Sequence, residues 1–156
     1  MGEAQDVIDV LLEDHRLLRE LLIRLDDEDR PAEMRRLFFR IAGELAAHEA
    51  AEDQIVVPAG LAAEHDEVNS LMTEMLRLNP AGFGFLKRAS ALVVELQDHL
   101  DEEEEVLFPL LRQLLSPAAL VELALQVRMA RRVAPIFPQT LRRSVQSTQL
   151  IPLTDR

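Results

Sequence analysis

The segment ELQDHLDEEEEVLFP at 95–109 is the most informative stretch of the chain, because it repeats the pattern of ELAAHEAAEDQIVVP at 44–58. Both segments read Glu-Leu, two residues, His, three residues, Glu, two residues, three apolar residues and Pro. A looser repeat relates LLEDHRLLRELL at 11–22 to LAAEHDEVNSLM at 61–72. Leu and Glu are common in any helix, but His, Glu and Pro seldom match in one register by chance. The repeats therefore indicate two related pairs of helices.

Apolar residues at steps of three and four predict helices over most of the chain. The predicted ranges are 4–26, 31–57, 60–78, 83–115 and 117–132. Pro31 suits the first turn of the second helix, and Ser116-Pro117 predicts an N-cap followed by a first helical position. Pro58 and the loop NPAGFG at 79–84 are typical of helix ends. Four long helices with short connections predict an all-α, up-down-up-down four-helix bundle with a short fifth helix.

The chain is thereby divided into a four-helix bundle over 1–116 and a C-terminal helix and tail over 117–156. Residues 133–156 contain three Pro and no sustained period, so we expect an extended tail with a short helix near 140–147. The second region is basic, with a charge of +4, whereas the first carries −15. A solvated acidic bundle is the simplest interpretation, and a tail that binds a protein partner or an acidic membrane surface is the alternative.

Composition disfavours several kinds of function. Without Cys the chain has no disulfide, no thiolate metal site and no cysteine nucleophile. The net charge of −11 disfavours a nucleic-acid partner, because phosphates would be repelled by such a surface. No apolar run is long enough to cross a bilayer, and MGEAQDVIDV at the N-terminus lacks the features of an export signal. We therefore expect a cytoplasmic protein without membrane insertion.

The four histidines, His15, His48, His65 and His99, lie one to each predicted bundle helix. Each falls on the apolar seam of its helix, so all four should point into the bundle. The predicted seam of the fourth helix is Phe85, Ala89, Leu92, Leu96, His99, Glu103, Val106 and Leu110. A single inward His commonly bonds a backbone carbonyl. Four imidazoles around one point would leave several ring nitrogens unsatisfied unless they share a partner.

Glu52 and Glu103 each follow a His by four residues, one turn further along the same face. An ionised carboxylate in an apolar core must be protonated, paired or bound to metal, and the seams offer no Lys or Arg. The candidate metal ligands are therefore His15, His48, Glu52, His65, His99 and Glu103. Six nitrogen and oxygen ligands suit iron, manganese or zinc, and they exceed the needs of one tetrahedral zinc, which favours two ions. A ferritin-like site would instead show Glu-x-x-His pairs and four Glu.

Other carboxylates near these positions are mainly interpreted as solvated. This applies to the run DEEEE at 101–105, apart from Glu103, whereas Asp14 and Glu64 directly precede His15 and His65. Glu49 is the exception, as an additional or alternative ligand. Glu44 and Glu95 precede a His by four residues, where each would either orient the imidazole or face solvent.

Together these residues resemble the hemerythrin-like HHE cation-binding domain over about residues 6–115. The resemblance rests on a His in the first helix, His-x-x-x-Glu closing the second, Glu-His opening the third, and HLDEEEEVLFP at 99–109. It implies a non-haem site of two iron ions, oxo- or hydroxo-bridged, held by the six ligands named above. Oxygen-carrying members have a second His one turn after the His of the third helix, where this chain has Asn69. This departure favours a more open and more reactive iron over reversible oxygen carriage.

The expected function is binding of, or reaction with, a small oxidant (oxygen, nitric oxide or hydrogen peroxide) in oxidative or nitrosative stress response or sensing. Catalase-like decomposition of peroxide is the enzymatic form of this hypothesis, with no catalytic residue separate from the metal site. The alternative is an iron- or oxygen-responsive regulatory module without turnover, since metal loss would leave two buried carboxylates uncompensated. The third hypothesis is a purely structural helical module.

Overall fold

The structure, a computed structural model, describes residues 4–57, 59–61 and 65–132. The helices are α1 (Val7–Asp27), α2 (Pro31–Val56), α3 (Asp66–Met75), α4 (Phe83–Glu102), α5 (Phe108–Leu114) and α6 (Pro117–Arg131). A π-helical turn, Glu103–Leu107, connects α4 directly to α5, so the two form one continuous helix. No strand occurs within these ranges, and the predicted all-α bundle is confirmed. The predicted tail at 133–156 lies outside the described residues, as does Pro58.

Side-chain caps explain where α1 and α6 begin. The prediction started the first helix at residue 4, whereas α1 begins after Asp6. The Asp6 carboxylate accepts a hydrogen bond from the Asp9 N–H at 3.0 Å, and the Asp9 carboxylate accepts one from the Asp6 N–H at 3.2 Å. This reciprocal capping box satisfies backbone donors at the helix start. At α6 the predicted N-cap is confirmed, because the Ser116 hydroxyl accepts from the Ala119 N–H at 3.2 Å.

The connection before α3 differs from the prediction, which started a helix at residue 60. Gly60 has a φ of 74°, a left-handed conformation in which Gly carries no Cβ penalty. Its N–H donates to the Val57 carbonyl at 3.0 Å, and the Leu61 N–H donates to the Val56 carbonyl at 2.9 Å. These two bonds form a Schellman motif, so Gly60 closes α2 instead of opening α3. His65 is consequently the residue that precedes α3 and not a member of it.

The π-helical turn within the fourth bundle helix was not predicted. The Phe108 N–H donates to the Glu103 carbonyl, five residues earlier, whereas an α-helical N–H bonds four residues earlier. Pro109 follows at once, and its ring has no N–H to donate to the Glu105 carbonyl. The wider turn accommodates this proline inside a continuous helix.

This turn changes which face of the helix is buried. The predicted seam continued from Glu103 to Val106 and Leu110, but Val106 is 60% exposed. Phe108 and Leu111 are buried instead. The extra residue in a π turn rotates all later side chains around the helix axis, so a seam counted at α-helical steps fails beyond it.

Two apolar clusters occupy the interior. Representative members of the larger cluster, from α1 to α4, are Leu22, Phe38, Met72 and Leu92. Representative members of the smaller cluster, from α1, α2, α5 and α6, are Leu11, Ile55, Phe108 and Val127. Along α1 and α2 the polar residues His15 and His48 fall between the members of the two clusters. The candidate site therefore lies between the clusters, inside the bundle.

A sharp bend separates α5 from α6. The chain bends by 117° between the helix Phe83–Leu114 and the helix Pro117–Met129. As a result, α6 packs back against α1 and α2. Within the part of the chain that the structure describes, no single helix is long and apolar enough to cross a membrane, although this bent pair meets the length and composition criteria together.

Candidate metal centre

The structure brings all six predicted site residues together between the two clusters. His15 on α1 and His48 on α2 are fully buried. Glu52 on α2 is 1% exposed and Glu103, in the π turn, is 5% exposed. Residues this polar are rarely buried so completely unless they are paired or bind a metal.

A first group consists of His15, His48 and Glu103, whose potential ligand atoms converge from α1, α2 and the π turn. Glu103 Oε2 lies 3.0 Å from His15 Nε2 and 3.1 Å from His48 Nε2. The two Nε2 atoms are 3.4 Å apart. Nitrogen and oxygen ligands about 2.1 Å from one ion lie roughly 3 Å from each other, so these separations suit a shared cation.

A second group consists of His65, His99 and, again, Glu103. His99 Nε2 lies 2.6 Å from Glu103 Oε1. The side chains of His65 and His99 are 13% and 16% exposed, so this group lies nearer to solvent than the first. Because Glu103 Oε2 faces the first group and Oε1 faces the second, one carboxylate belongs to both.

Glu52 lies beside both groups. Its Oε2 is 3.3 Å from His65 Nε2 and 4.0 Å from His48 Nε2. Neither of its oxygens has a hydrogen-bond partner among the described residues. Burial, and then the Glu103 carboxylate, raise the pKa of Glu52 to about 8. A carboxylate this buried and unpaired is costly, and a neighbouring cation would offset the cost.

Charge within the site is organised around Glu103. Burial would raise the pKa of Glu103, but the neighbouring imidazoles of His15, His48 and His99 outweigh burial and hold the pKa far below its usual range. Burial likewise lowers the pKa of His48, but the Asp14 and Glu103 carboxylates outweigh it and raise the pKa to about 10. A protonated His48 would thus supply positive charge beside the buried carboxylate. A metal cation would supply the same charge.

Orphaned polar atoms indicate that these residues fit a metal. His65 Nε2, His99 Nε2 and Glu103 Oε1 are buried, and the described part of the chain offers them no hydrogen bond of acceptable geometry. One or two cations at this place would satisfy all of them. Imidazole and carboxylate donors without sulfur suit iron, manganese or zinc. The donor set therefore supports metal binding without choosing among these ions.

Two further carboxylates lie behind the imidazoles of the first group. Glu104 Oε1 is 2.8 Å from His15 Nδ1, and Asp14 Oδ2 is 3.6 Å from His48 Nδ1. In metal sites the imidazole nitrogen that does not bind the ion commonly donates to a carboxylate, which fixes the ring. The prediction that Glu104 lies on a solvated face was wrong, since its side chain is 31% exposed and contacts His15. Asp14, for which no role was predicted, is 16% exposed and lies beside His48.

Each of these carboxylates is in turn held by an arginine. Arg19 Nη1 donates to Glu104 Oε1 at 2.5 Å, and Arg131 Nη2 donates to Asp14 Oδ2. Burial would raise the pKa of Glu104, but Arg19 and His15 outweigh it and lower the pKa below its usual value. The arginines lie outside the apolar seams, and for this reason the seam pattern did not reveal them.

Asn69 belongs to a third arrangement in which a carboxylate lies beside the Nδ1 of a histidine. Asn69 Nδ2 donates to Glu49 Oε1 at 3.2 Å, and the same oxygen lies 3.7 Å from His65 Nδ1. Glu49 is 8% exposed, and burial raises its pKa to about 7. Glu49 belongs to neither group of converging atoms, so its role as an alternative ligand stays a prediction.

A cavity of about 420 Å³ opens beside the second group. Its lining residues are His65, Asp66, Glu67, Val68, Glu95, Asp98, His99 and Glu102. Five of the eight are carboxylates, two are the histidines of the second group, and none is Lys or Arg. The cavity is therefore an acidic approach to the imidazoles of His65 and His99. Glu95, one of the two residues considered for orienting a His, lines this cavity instead.

The fold and site define a metal-binding helical bundle in which two His/Glu groups share a carboxylate. The profile of the hemerythrin HHE cation binding domain matches residues 6–111. The chain therefore belongs to the hemerythrin HHE cation-binding domain family, and the predicted family is confirmed.

Two individual proteins are similar to this chain, one in structure and one in sequence. The crystal structure of a hemerythrin HHE cation binding domain-containing protein from Mycobacterium kansasii superposes with a TM-score of 0.72 at 22% identity, over 94% of each chain, which shows a shared fold. A DNA nickase of Nostoc sp. is 25% identical over 140 residues, a match that takes in 83% of this chain. The chain spans only about two fifths of that relative, because the match covers 40% of its length.

Proposed function

We propose that the chain is a non-haem di-iron protein that binds, or reacts with, a small oxidant: oxygen, nitric oxide or hydrogen peroxide. The proposal rests on the two carboxylate oxygens of Glu103, which face different donor groups. Its Oε2 lies 3.0 Å from His15 Nε2, and its Oε1 lies 2.6 Å from His99 Nε2. A carboxylate with one oxygen in each of two donor groups is suited to holding two ions side by side.

The six candidate ligands divide naturally between two ions. His15 and His48 would hold one ion, and His65 and His99 the other. Glu103 would contact both, and Glu52 is the second carboxylate within reach of both groups. Iron is the proposed metal because nitrogen-rich donor sets without sulfur suit it and because the fold family implies it. Paired irons would supply two-electron redox chemistry toward peroxide.

The packing around the two donor groups would control how a small molecule reaches the metal ions. The first group is sealed, since His15 and His48 have no exposed surface, and the larger apolar cluster lies on one side of it. The second group has the cavity at its side. A small molecule would therefore approach from the His65 and His99 side. Such one-sided access supports reaction with a diatomic molecule or peroxide, which this cavity can easily hold.

The acidic lining of the cavity would favour the entry of neutral oxidants and cations over the entry of anions. Neutralising three of its carboxylates in the variant E95Q/D98N/E102Q is expected to slow loading by Fe(II) by about tenfold at low ionic strength, because charge-lined clefts raise association rates by at least that factor. The difference should disappear at high salt, where the field is screened. Stopped-flow loading of metal-free protein measures the rate.

A matched control removes the same charge elsewhere. The variant E20Q/D26N/D27N neutralises three exposed carboxylates of α1 that do not line the cavity. Its loading rate should remain close to that of the unaltered protein. Equal slowing in both variants would show that net charge, and not the cavity, attracts the metal.

A regulatory role without turnover is the second candidate. It is favoured by the position of the candidate ligands, which come from different helices and lie between the two apolar clusters. Loss of metal would leave Glu52 buried and unpaired and would loosen the contact between these helices. In this case metal occupancy, and not a reaction product, would be the signal.

Metal analysis combined with absorption spectroscopy and a peroxide assay tests both candidates. The chain has no Trp or Tyr, so near-ultraviolet bands of paired ferric ions would stand out. Two irons per chain with such bands support the di-iron proposal, and rapid oxygen release from peroxide supports its enzymatic form. Fewer than one iron after reconstitution, without these bands, would refute it. Stable binding without turnover would favour the regulatory candidate.

We do not extend the DNA nicking activity of the Nostoc relative to this chain. The net charge of −11 opposes contact with phosphates. A nicked-plasmid assay with the metal-loaded protein tests this exclusion directly.

A further inference from the structure

The candidate metal centre is connected to α6, the helix that follows the bundle. Arg131, at the end of α6, donates from Nη2 to Oδ2 of Asp14 on α1. The same Asp14 oxygen lies 3.6 Å from Nδ1 of His48. Asp14 is thus shared between the C-terminal helix and a candidate ligand.

The orientation of the His48 ring places Asp14 at the nitrogen that would not bind a metal. Its Nε2 faces Glu103 Oε2 at 3.1 Å and His15 Nε2 at 3.4 Å, so Nε2 is the atom available to a metal. The ring proton of a metal-binding imidazole must then be on Nδ1 and needs an acceptor. His48 Nδ1 is buried and has no hydrogen bond within the described residues. Asp14 is the carboxylate on that side of the ring.

The same arrangement occurs behind the other imidazole of the first group. Glu104 Oε1 lies 2.8 Å from His15 Nδ1 and accepts from Arg19 Nη1 at 2.5 Å. Each imidazole of the group therefore has a carboxylate at Nδ1 that a guanidinium holds in place. One guanidinium, that of Arg19, belongs to α1 within the bundle. The other is supplied by α6.

We propose that Arg131 is a positioning residue for metal binding: it fixes Asp14, which orients His48, so that docking of α6 and occupation of the first group stabilise each other. The inference rests on the metal centre proposed above. The apolar face of α6 adds a second link, because Val127 belongs to the cluster that contains Phe108, whose ring centroid is 5.1 Å from that of His15. Linkage requires that metal tighten α6 by the same free energy with which α6 tightens metal.

Cobalt binding by an R131A variant tests the positioning role. Co(II) alone is titrated into the metal-free full chain and followed by its visible absorption. R131A should bind with about tenfold lower affinity, the lower end of the effect of losing a residue that orients a ligand. R131K should recover part of the loss, because the ammonium can still bond the Asp14 carboxylate.

R128A is the matched control. Arg128 lies on α6 three residues earlier, and its Nη2 donates to the side-chain oxygen of Gln5 at 3.0 Å, not to Asp14. Its Co(II) affinity should equal that of the unaltered chain. Equal affinities of R131A and R128A would overturn the role of Arg131 alone, whereas failure of the unaltered chain to bind Co(II) would overturn the metal centre as well.

Hydrogen exchange separates positioning from a purely structural contribution. In the unaltered chain Co(II) should slow amide exchange over Pro117–Arg131, and this protection should largely vanish in R131A while the metal-free rates of R131A and R128A remain similar. A structural role would instead speed exchange in the metal-free R131A protein and leave the Co(II)-dependent protection in place. That second pattern would overturn the proposal.

Discussion

The Glu103→Gln variant is expected to lose both metal ions at once, with affinity at each position falling by more than about 100-fold. The reason is geometric, since Oε1 and Oε2 of this carboxylate each belong to a different donor group. The amide keeps the size of the side chain but removes its charge and one acceptor oxygen. Iron content after reconstitution and the near-ultraviolet bands measure the loss.

Two companion variants make this result specific. Glu105→Gln changes an exposed carboxylate two residues later, which belongs to neither donor group, and should retain both ions. His15→Ala removes a donor from the first group only and should leave the second ion bound. If Glu103→Gln lost one ion and kept the other, the carboxylate would not be shared. Circular dichroism of each variant establishes that the helices remain folded.

Metal removal is expected to make the stability of the bundle depend on pH in the opposite sense from that of the loaded protein. Without metal, Glu52 keeps its proton up to a pKa of about 8 in the folded state, whereas its unfolded value is 4.5. His48 keeps its proton up to about 10, against 6.5 when unfolded. Both groups therefore stabilise the metal-free fold at low pH and lose that contribution as pH rises.

The pH range of this loss follows from the folded and unfolded pKa values of the site residues. Glu103 and His65 have lowered folded pKa values, so their contributions are complete above the unfolded values of 4.5 and 6.5 and stay constant at higher pH. From pH 6.5 to 8 Glu52 and His48 should together cost the metal-free chain roughly 3 kcal/mol of unfolding free energy. The loaded protein should gain over the same range, because metal binding requires deprotonated ligands.

Thermal melts with chelator and with saturating Fe(II) under anaerobic conditions measure this divergence. At a free metal concentration of about 1,000 times Kd, binding adds about 4 kcal/mol. For a domain of this size that corresponds to a rise in Tm of roughly 8–16 °C. Metal-free Glu52→Gln should show a flatter pH dependence, since it has no carboxyl group to titrate there. Parallel pH profiles with and without metal would contradict the prediction.

Much of the site followed from local periodicity. His15, His48 and Glu52 are buried as predicted, because a helical step of three or four residues fixes the face on which a side chain lies. The same rule failed at Val106, where the π turn before Pro109 had already added a residue to the helix. It also placed His65 inside a helix, although Gly60 closes α2 before α3 begins. These failures are local departures from α-helical geometry.

Helical periodicity was enough to predict an all-α bundle with three inward histidines and two inward carboxylates, because the period fixes the face of a helix on which each side chain lies. The HHE family was predicted from the resemblance of the His and Glu motifs. Three contacts between helices became visible only in the folded chain: Glu103 belongs to two groups, Glu104 and Asp14 lie behind His15 and His48, and α6 contacts the site through Arg131. These contacts join atoms far apart in the chain. Their distances depend on how the helices cross and on the π turn, and spacing along one helix carries no information about either.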